Sequence, residues 1–429
     1  MTAAAAPTSQ RTAPAGAPTA AASSGATALA DGCAELAVAL DVGGTKIAGA
    51  LVDRRGTLRA RARRPTPPST SPARSATRPA APRTRTAPPR TGPVPSGAER
   101  EPALRTGHGA PHPATEPEPR TGPEPGREPA PGALRDAAPG PDAAGDENAA
   151  EAVMAAVIEV IAELAQAPEW TRVTRCGIGS AGPVDAEHGT VSPVNIAAWR
   201  DFPLHARTEA ELVRHGAPVP AVLVGDGVAM TAAEHRFGAA RGCRNALCLV
   251  VSTGVGGGLI VDDRLHPGPS GNAGHIGHIS VAVDGAPCVC GSRGCVEAIA
   301  SGTAIAGWAA GAGWRAPTED RSAAQVAAAA RAGDRVALAA FDRAGRALAA
   351  AIAGTATLLE VERAVIGGGV AAAGDVLFGP VRRHLATYAA LSFVRGLTVV
   401  PAALGADAGL VGAAAAAFDL LSDGADHAP

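Results

Sequence analysis

The sequence predicts an α/β protein of two lobes, and three observations support this fold class. One pattern, an apolar strand followed by a glycine-rich turn and a second apolar strand, occurs at residues 35–53 and again at 246–265. Further apolar strands alternate with helical segments in both halves of the chain. After the low-complexity segments are set aside, about three hundred residues remain, which is enough for two domains of ordinary size.

The first half contains the elements of one such lobe in order. After the first hairpin, the run LRARARR at 58–64 predicts an edge strand. A long apolar segment at 149–166 predicts a helix. A strand is expected at 175–178, before the loop GSAGPVD, and another at 222–224. Asp226 follows the last strand and is expected to begin a helix that runs through Glu234.

The second half of the chain predicts a similar order of strands, glycine turns and helices. After the second hairpin, residues 363–385 predict a strand, a triple glycine and a helix, and residues 397–421 predict a strand, a glycine loop and a closing helix. Three glycine turns therefore follow strand ends. In a mixed sheet such turns face one crevice, which is where a phosphorylated ligand is expected to bind.

Composition changes along the chain and predicts the domain limits. The 429 residues include 53 glycines and 37 prolines, and segments rich in these residues lack the apolar area that a folded core needs. A docking role for the proline-rich insertion stays open. The predicted organisation is a disordered tail at 1–33, a first lobe at 34–64 and 149–235, a disordered proline-rich insertion at 65–148, a second lobe at 236–421 and a disordered tail at 422–429.

Charge and cysteine usage exclude several classes of protein. A formal net charge of −2 argues against a nucleic-acid or anionic-membrane surface. No apolar run is long enough to span a bilayer, and the N-terminus lacks the features of a secretory signal. Seven cysteines, an odd number, fit a reducing compartment better than a disulfide framework. We therefore expect a cytoplasmic protein.

Four soft metal ligands lie within one short segment of the second half. Zinc prefers tetrahedral thiolate and imidazole ligands, and Gly291 and Gly294 allow the chain to fold back around one ion. With all four positions filled by protein, the site would be structural. The predicted zinc ligands are His278, Cys288, Cys290 and Cys295.

The glycine turns predict phosphate binding through backbone N–H groups. The turn DVGGTK adds a hydroxyl and an amine, and its aspartate is suited to hold Mg²⁺ through water. In STGVGGG, the Thr253 hydroxyl is expected to face the terminal phosphate. Either turn alone is also typical of an ordinary hairpin. The predicted nucleotide-binding residues are Asp41, Gly43, Gly44, Thr45, Lys46, Thr253, Gly254, Gly256, Gly368 and Gly369.

Together, DVGGTK, STGVGGG, AVIGGGV and GH followed by CxCGxxGCxE resemble the ROK family of sugar kinases and repressors. The zinc signature, at 275–297, is highly specific, whereas the glycine hairpins are shared with the wider superfamily of actin-like ATPases and hexokinases. The resemblance implies a two-lobed actin-like (ribonuclease H-like) fold, each lobe a mixed sheet with helices, plus a small zinc-bound loop. It also implies transfer of the γ-phosphoryl group of ATP to a hexose hydroxyl, with Mg²⁺, structural Zn²⁺ and, commonly in the family, a homodimer.

The resemblance also assigns roles to individual residues. Asp226 takes the place of the general base, although it is also suited to cap its helix. The His278 ring would bind zinc through one nitrogen and the sugar through the other. By themselves, Asn195 is typical of a turn residue and Glu297 of a first-turn helix acid. The sugar-binding residues implied are Gly182, Asn195, His275, His278 and Glu297.

Two positions depart from the family pattern. Catalytic members typically have NDAN around the base and ExGH before the cysteines, whereas this chain has Gly225 before Asp226 and His275 in place of the glutamate. Glucose is the default substrate, with N-acetylmannosamine, allose and fructose as rivals. A sugar-binding regulator with weak or absent catalysis is the alternative class. A DNA-binding role is disfavoured, because 33 low-complexity residues precede the core where family repressors carry a helix-turn-helix module.

Overall fold

The computed structural model describes residues 35–68 and 143–423. The tail predicted at 1–33, most of the insertion predicted at 65–148 and residues 424–429 lie outside the described residues. Where the structure does describe the edges of these segments, order extends further than predicted. Pro65 ends a strand, a helix already begins at Ala143, and the last helix reaches Asp423.

The described elements confirm the strands and helices expected from the sequence. The predicted hairpins, strands and helices occur in the predicted order, and short 3-10 turns connect several elements. The small strand pair at 184–191, the helix at 204–214 and the three helices within 302–359 were not predicted. The strands are β1 Leu36–Val42, β2 Lys46–Asp53, β3 Leu58–Pro65, β4 Val173–Ser180, β5 Val184–Asp185, β6 Thr190–Val191, β7 Ala221–Gly225, β8 Ala246–Val251, β9 Val255–Val261, β10 Arg264–His266, β11 Arg363–Gly367 and β12 Thr398–Pro401. The helices are α1 Ala143–Leu164, α2 Leu204–Arg214, α3 Asp226–Phe237, α4 Glu297–Ala300, α5 Gly302–Gly311, α6 Ala323–Arg331, α7 Arg335–Leu359, α8 Asp375–Tyr388 and α9 Ala408–Asp423.

Within the described chain, the strands form two five-stranded mixed sheets of identical topology and one small β5–β6 ribbon. The first sheet has the order β3-β2-β1-β4-β7, and the second has β10-β9-β8-β11-β12. In each sheet, the first three strands in sequence are antiparallel and the next two join in parallel. The repeated strand–turn–strand pattern of the sequence therefore corresponds to a repeated fold.

Strand β1 shows why its sequence is apolar throughout. Its alternate residues Leu36, Val38 and Leu40 belong to the core that α1 covers. The residues between them, Ala37 and Ala39, pack with α9 on the other face of the sheet. Both faces of the strand are thus buried, as expected for the centre of a mixed sheet that carries helices on both sides.

Helix α9 belongs to the second half of the sequence but packs on the first sheet. Its backbone approaches closely, because a Cβ atom added to Gly177 of β4 would lie 1.8 Å from the carbonyl oxygen of Ala413. Gly412 makes a similarly close approach to Ala229 of α3. The lobe limits expected from the sequence stay predictions, and the packing shows that the last helix contacts the first sheet.

A buried carboxylate joins α3 to the segment that leads into α9. Glu234 is fully buried and accepts hydrogen bonds from the backbone N–H groups of Ala239, Ala403 and Leu404, at 2.7 to 3.1 Å. At its other end, α3 contacts the second sheet, where Gly227 lies against Gly257 of β9. Helix α3 therefore lies between the sheets, with Asp226 at its first position.

None of the helices in the described part of the chain combines the length and the apolar character that a transmembrane span requires.

Candidate active site

The first glycine turn joins β1 to β2 and places charged groups at the strand ends. The Lys46 ammonium lies 3.3 Å from the Asp41 carboxylate. The turn is closed by a hydrogen bond from the Gly43 N–H to the carbonyl oxygen of Lys46, at 3.0 Å. A Cβ atom on Gly44 would lie 2.8 Å from the side chain of Asn195. The turn thus brings the predicted phosphate-binding residues against a predicted sugar-binding residue.

The second glycine turn joins β8 to β9 and is supported by a carboxylate. The Val255 N–H donates to Glu297 Oε2 at 2.9 Å, and a Cβ atom on Gly254 would lie 2.6 Å from that same oxygen. The Thr303 hydroxyl donates to the carbonyl oxygen of Thr253, which fixes the outer part of the turn. Glu297 therefore lies directly beneath the predicted phosphate cradle.

The third glycine turn adjoins the second. Gly368 has a φ of +87°, which favours glycine, and a Cβ atom there would lie 2.4 Å from the carbonyl oxygen of Val251 at the end of β8. Gly369 is exposed beside it. The two glycine turns of the second sheet therefore share one edge, as the sequence predicted from their positions after β8 and β11.

Asp226 begins α3 directly after β7, with an accessible side chain. Its Oδ1 accepts a hydrogen bond from the Gly227 N–H at 2.7 Å, which is the local contact of a residue at a helix start. The crowding of protein atoms around the carboxyl group raises its pKa above the usual value, and the charge of Asp41 raises it further. The Gly227 N–H and His275 act in the opposite direction. The group thus lies exposed in the cleft between the two sheets, in surroundings that disfavour its charge.

A Cβ atom on Gly256 of β9 would lie 3.7 Å from Asp226 Oδ1, so strand β9 of the second sheet passes beside the carboxylate. Gly225 is buried, yet a Cβ atom there would meet no atom within 4 Å. Free space therefore exists where typical family members carry an asparagine side chain.

His275 faces this cleft with one ring nitrogen. Its Nδ1 lies 2.9 Å from the carbonyl oxygen of Asn272, so Nδ1 carries the proton and donates it. Asn272 is itself held by Val184, whose N–H donates to Oδ1 and whose carbonyl accepts from Nδ2. A Cβ atom on Gly182 would lie 3.3 Å from His275 Nε2, which is the free nitrogen. The hydrogen bond thus leaves Nε2, on the side of Gly182, as an acceptor in the neutral ring.

The four predicted metal ligands meet at one point. Their ligand atoms all lie within 4.8 Å of one another. Cys288 Sγ is 3.8 Å from His278 Nδ1, and Cys290 Sγ is 3.7 Å from Cys295 Sγ. These are separations suited to ligands that share one tetrahedral ion. Gly291 and Gly294 have φ values of +90° and +64°, and a Cβ atom on Gly294 would overlap the Ala282 carbonyl oxygen, so the predicted need for glycine is confirmed there.

The donor set also suits a cation electrically. Hydrogen bonding from the Ser292 N–H lowers the pKa of the Cys290 thiol, whereas burial raises the pKa of Cys295 to about 12. A divalent cation would stabilise the thiolate of Cys295 against that cost of burial. His278 and His275 lie side by side, with ring centroids 6.2 Å apart, so the cluster borders the cleft.

The structure brings the predicted residues of the first turn close to Asn195, Asp226 close to His275, and the second turn close to Glu297. Sequence reasoning missed the residues that hold them. Asn272 positions His275, Gly409 lies against the Asp41 carboxylate, and the Thr66 hydroxyl donates to the Gly43 carbonyl. Gly409, the second glycine of GADAGL, could have been recognised from the sequence as a point where the backbone approaches another group closely. Thr66 and Asn272 left no such signal, because their partners are distant in sequence or lie on the backbone.

Two sheets of equal topology, with glycine turns and an accessible aspartate between them, are the arrangement expected of an α/β phosphotransferase. The family comparison narrows this class. The ROK family model matches residues 143–419, which is more than half of the chain, and the chain belongs to the ROK family.

Individual relatives and structures agree with this assignment. Glucokinase of Thermotoga maritima is 38% identical over 280 residues, covering 62% of this chain and 86% of that protein. N-acetylmannosamine kinase of Haemophilus influenzae is 34% identical over 277 residues, covering 65% of this chain and 86% of that protein. The crystal structure of a ROK family glucokinase from Streptomyces griseus, with glucose and AMPPNP, superposes with a TM-score of 0.61 at 26% identity, covering 89% of this chain and 99% of that chain.

Proposed function

We propose that this protein transfers the γ-phosphoryl group of ATP to a hydroxyl group of a hexose, with Asp226 as the general base. The two sheets would be the two lobes of an actin-like fold that closes over both substrates. The observation that carries the proposal is the position of Asp226, which lies accessible at the start of α3, with β9 of the second sheet beside it and the charge of Asp41 acting on its pKa. Kinship with glucokinases supports the reaction class.

Asp226 is suited to accept the proton of the attacking hydroxyl. Because its pKa lies above the usual value for aspartate, the carboxylate is a stronger base than an exposed aspartate. In phosphoryl transfer, most of the remaining barrier is lowered by positioning and charge neutralisation. In this proposal, Asp226 accepts the proton and the glycine turns position the phosphates.

The nucleotide would lie along the three glycine turns. Backbone N–H groups of the first two turns can approach phosphate oxygens closely, and Lys46 supplies a positive charge. Asp41 would hold Mg²⁺ through water, and this carboxylate fits the role because it is part-exposed and lies at the strand end beside Lys46. When bound, Mg²⁺ supplies neutralisation of phosphate charge.

The sugar would contact three side chains that each lie beside a glycine of the site. Asn195 contributes an amide beside Gly44, Glu297 a carboxylate beside Gly254, and His275 an imidazole acceptor beside Gly182. His278 would contact the sugar through the ring nitrogen that does not face Cys288. We expect the free space at Gly225 and the imidazole of His275 to alter the hydroxyl preference, because a buried substrate hydroxyl without its partner loses about 1 to 3 kcal/mol.

The Cys3His cluster would hold a structural zinc ion. His278, Cys288, Cys290 and Cys295 fit this role by the separation of their ligand atoms and by their chemistry. The ion would orient His278 and, through the packed rings, stabilise the neighbourhood of His275. With four protein ligands, it would take no direct part in phosphoryl transfer.

A panel of sugars tests the proposal. The chain is incubated with ATP, Mg²⁺ and glucose, N-acetylmannosamine, allose or fructose, and ADP release is measured. We expect turnover with at least one hexose, and we expect Asp226→Asn to lower kcat by a factor of about 10² to 10⁴ while the protein stays folded. Absence of turnover with every sugar, together with measurable sugar binding, would favour the regulator. An active Asp226→Asn variant would exclude Asp226 as the base.

A further inference from the structure

A basic cavity lies away from the cleft, at the far end of α3. It has a volume of about 440 Å³, which is within the range of small-molecule pockets. Helix α3 has 12 residues and begins at Asp226, whereas His235 and Arg236 near its other end border this cavity. At about 1.5 Å per residue, the nine to ten residues from Asp226 to His235 and Arg236 place the two sites roughly 14 to 15 Å apart along the helix axis. The cavity contains none of the residues proposed to bind ATP or sugar.

Arginines dominate the charge of this cavity. Arg54, Arg236, Arg241 and Arg264 line it, and its two carboxylates pair with lining residues, Asp419 with Arg236 and Asp263 with His235. Guanidinium groups bind phosphate oxygens through paired N–H donors, and clustering of one sign of charge in a concave site raises the local concentration of the opposite ion. The lining therefore favours an anion.

The neighbouring pairings leave positive charge available. Arg54 and Arg175 share the carboxylate of Glu35, at 2.7 and 3.6 Å. Within residues 35–68 and 143–423, Arg241 is exposed and its guanidinium has no hydrogen-bond or ion-pair partner. A bound anion would supply the acceptor that this guanidinium lacks in the described chain.

An apolar floor makes the cavity more than a charged surface. The buried Phe418 ring lies beneath the guanidinium carbon of Arg54, at 4.7 Å, and near that of Arg236, at 6.0 Å. Leu265 and Leu420 add further apolar lining. Guanidinium groups beside apolar carbon suit a phosphate attached to a small organic group, because the arginines can bind the phosphate and the apolar floor can contact the carbon skeleton.

The walls come from both halves of the fold. On the side of the first sheet, the walls are Arg54, in the turn after β2, and residues of α9, which packs on that sheet. On the side of the second sheet, the walls are Asp263, Arg264 and Leu265 of the β9–β10 hairpin. We propose that this cavity binds a small phosphate monoester, such as a sugar phosphate, that contacts elements of both sheets. This inference does not depend on the proposed kinase activity.

The test is calorimetric titration of the full-length protein with glucose 6-phosphate and with inorganic phosphate, supported by thermal unfolding. We expect saturable binding, a rise in Tm, and a loss of affinity of about tenfold or more in Arg241→Gln, because a hydrogen bond to a charged group is removed. Arg54→Gln is the second variant. Arg395→Gln, an exposed arginine outside the cavity, is the matched control and should bind as wild type does.

The Lys46→Met variant distinguishes binding in this cavity from binding at the glycine turns, which can also bind phosphate. Binding that persists in Lys46→Met but weakens in Arg241→Gln supports the proposal. Binding lost in Lys46→Met and unchanged in Arg241→Gln would assign the phosphate to the cleft and overturn it. If Arg395→Gln weakened binding equally, the effect would come from the overall charge of the protein and not from this cavity, which would overturn the proposal. If neither probe bound, the proposal would also be overturned.

Discussion

The two sheets share one strand order but differ in the chemistry of their first turn. In the first sheet, the β1–β2 turn carries an ion pair, Asp41 with Lys46 at 3.3 Å. In the second sheet, the β8–β9 turn carries no charged residue of its own, and a carboxylate from elsewhere, Glu297, accepts the Val255 N–H. The same backbone can therefore serve as a charged cradle in one half and as a neutral cradle with external support in the other.

The halves also differ in the segment after their third strand. After β3, the first half continues into residues 69–142, which are rich in proline and lie outside the described residues. After β10, the second half forms a compact loop that contains the Cys3His cluster and ends at α4. Long connections thus occur at the same place in both halves, and in the second half the loop supplies His275 and His278 to the cleft.

Among the effects that distinguish the two halves, the largest is expected in this loop. Cys288→Ser removes one of four ligands, and we expect zinc content to fall and kcat/KM for the sugar to decrease about 10- to 100-fold, because the orientation of His278 is lost. Metal analysis and steady-state kinetics provide the measurement. Cys243→Ala, a buried cysteine outside the cluster, is the control and should retain both. Full activity without metal would contradict the role given to His278.

An intermediate effect distinguishes the two turns. A Cβ atom on Gly254 would lie 2.6 Å from Glu297 Oε2, whereas one on Gly43 would meet its nearest atom, the Lys46 carbonyl oxygen, at 3.4 Å. Gly254→Ala should therefore displace Glu297 and raise KM for the sugar by about tenfold, the cost of one hydrogen bond to a charged group. Gly43→Ala, the matched variant in the first turn, should change that KM less. The reverse order would refute the supporting role of Glu297.

The smallest expected effect is on stability at the base of the cleft. Because the folded protein raises the pKa of Asp226, its protonated form is favoured on folding, and this stabilisation is lost as pH rises through the raised pKa. At pH 7, Asp226→Asn should increase the free energy of unfolding by less than about 1 kcal/mol, because the side chain is exposed and solvent screens the cost of its charge. The gain should shrink in acid, where wild type is protonated too.

Chemical denaturation at pH 7 and in acid measures this difference. Asp320→Asn is a suitable control, because hydrogen bonding from the Ser322 N–H lowers the pKa of Asp320, and an asparagine there should give no stabilisation. Destabilisation by Asp226→Asn at pH 7 would indicate that its contact with the Gly227 N–H outweighs the cost of its charge.

Much of the fold and the outline of the site could be predicted from sequence. The two hairpins, the edge strand β3, the helix after β7 and the Cys3His ligand set all follow from short-range patterns, because strand alternation, helix periodicity and ligand spacing involve residues close in the chain. Contacts between distant segments were not predicted. Neither the packing of Gly412 against Ala229 nor the hydrogen bonds from Ala403 and Leu404 to Glu234 have a local signature.

The sequence by itself determined the duplicated strand pattern, the glycine turns and the residue types available for phosphate, sugar and metal, since these depend on backbone freedom and side-chain chemistry. Only the tertiary structure decided which nitrogen of His275 faces Gly182, which carboxylate supports the second turn, and how Arg54, Arg241 and Phe418 come to line one cavity. The physical reason is that hydrogen-bond partners and cavity walls come from segments far apart in sequence. Their positions are set by the packing of α3 and α9 between the two sheets.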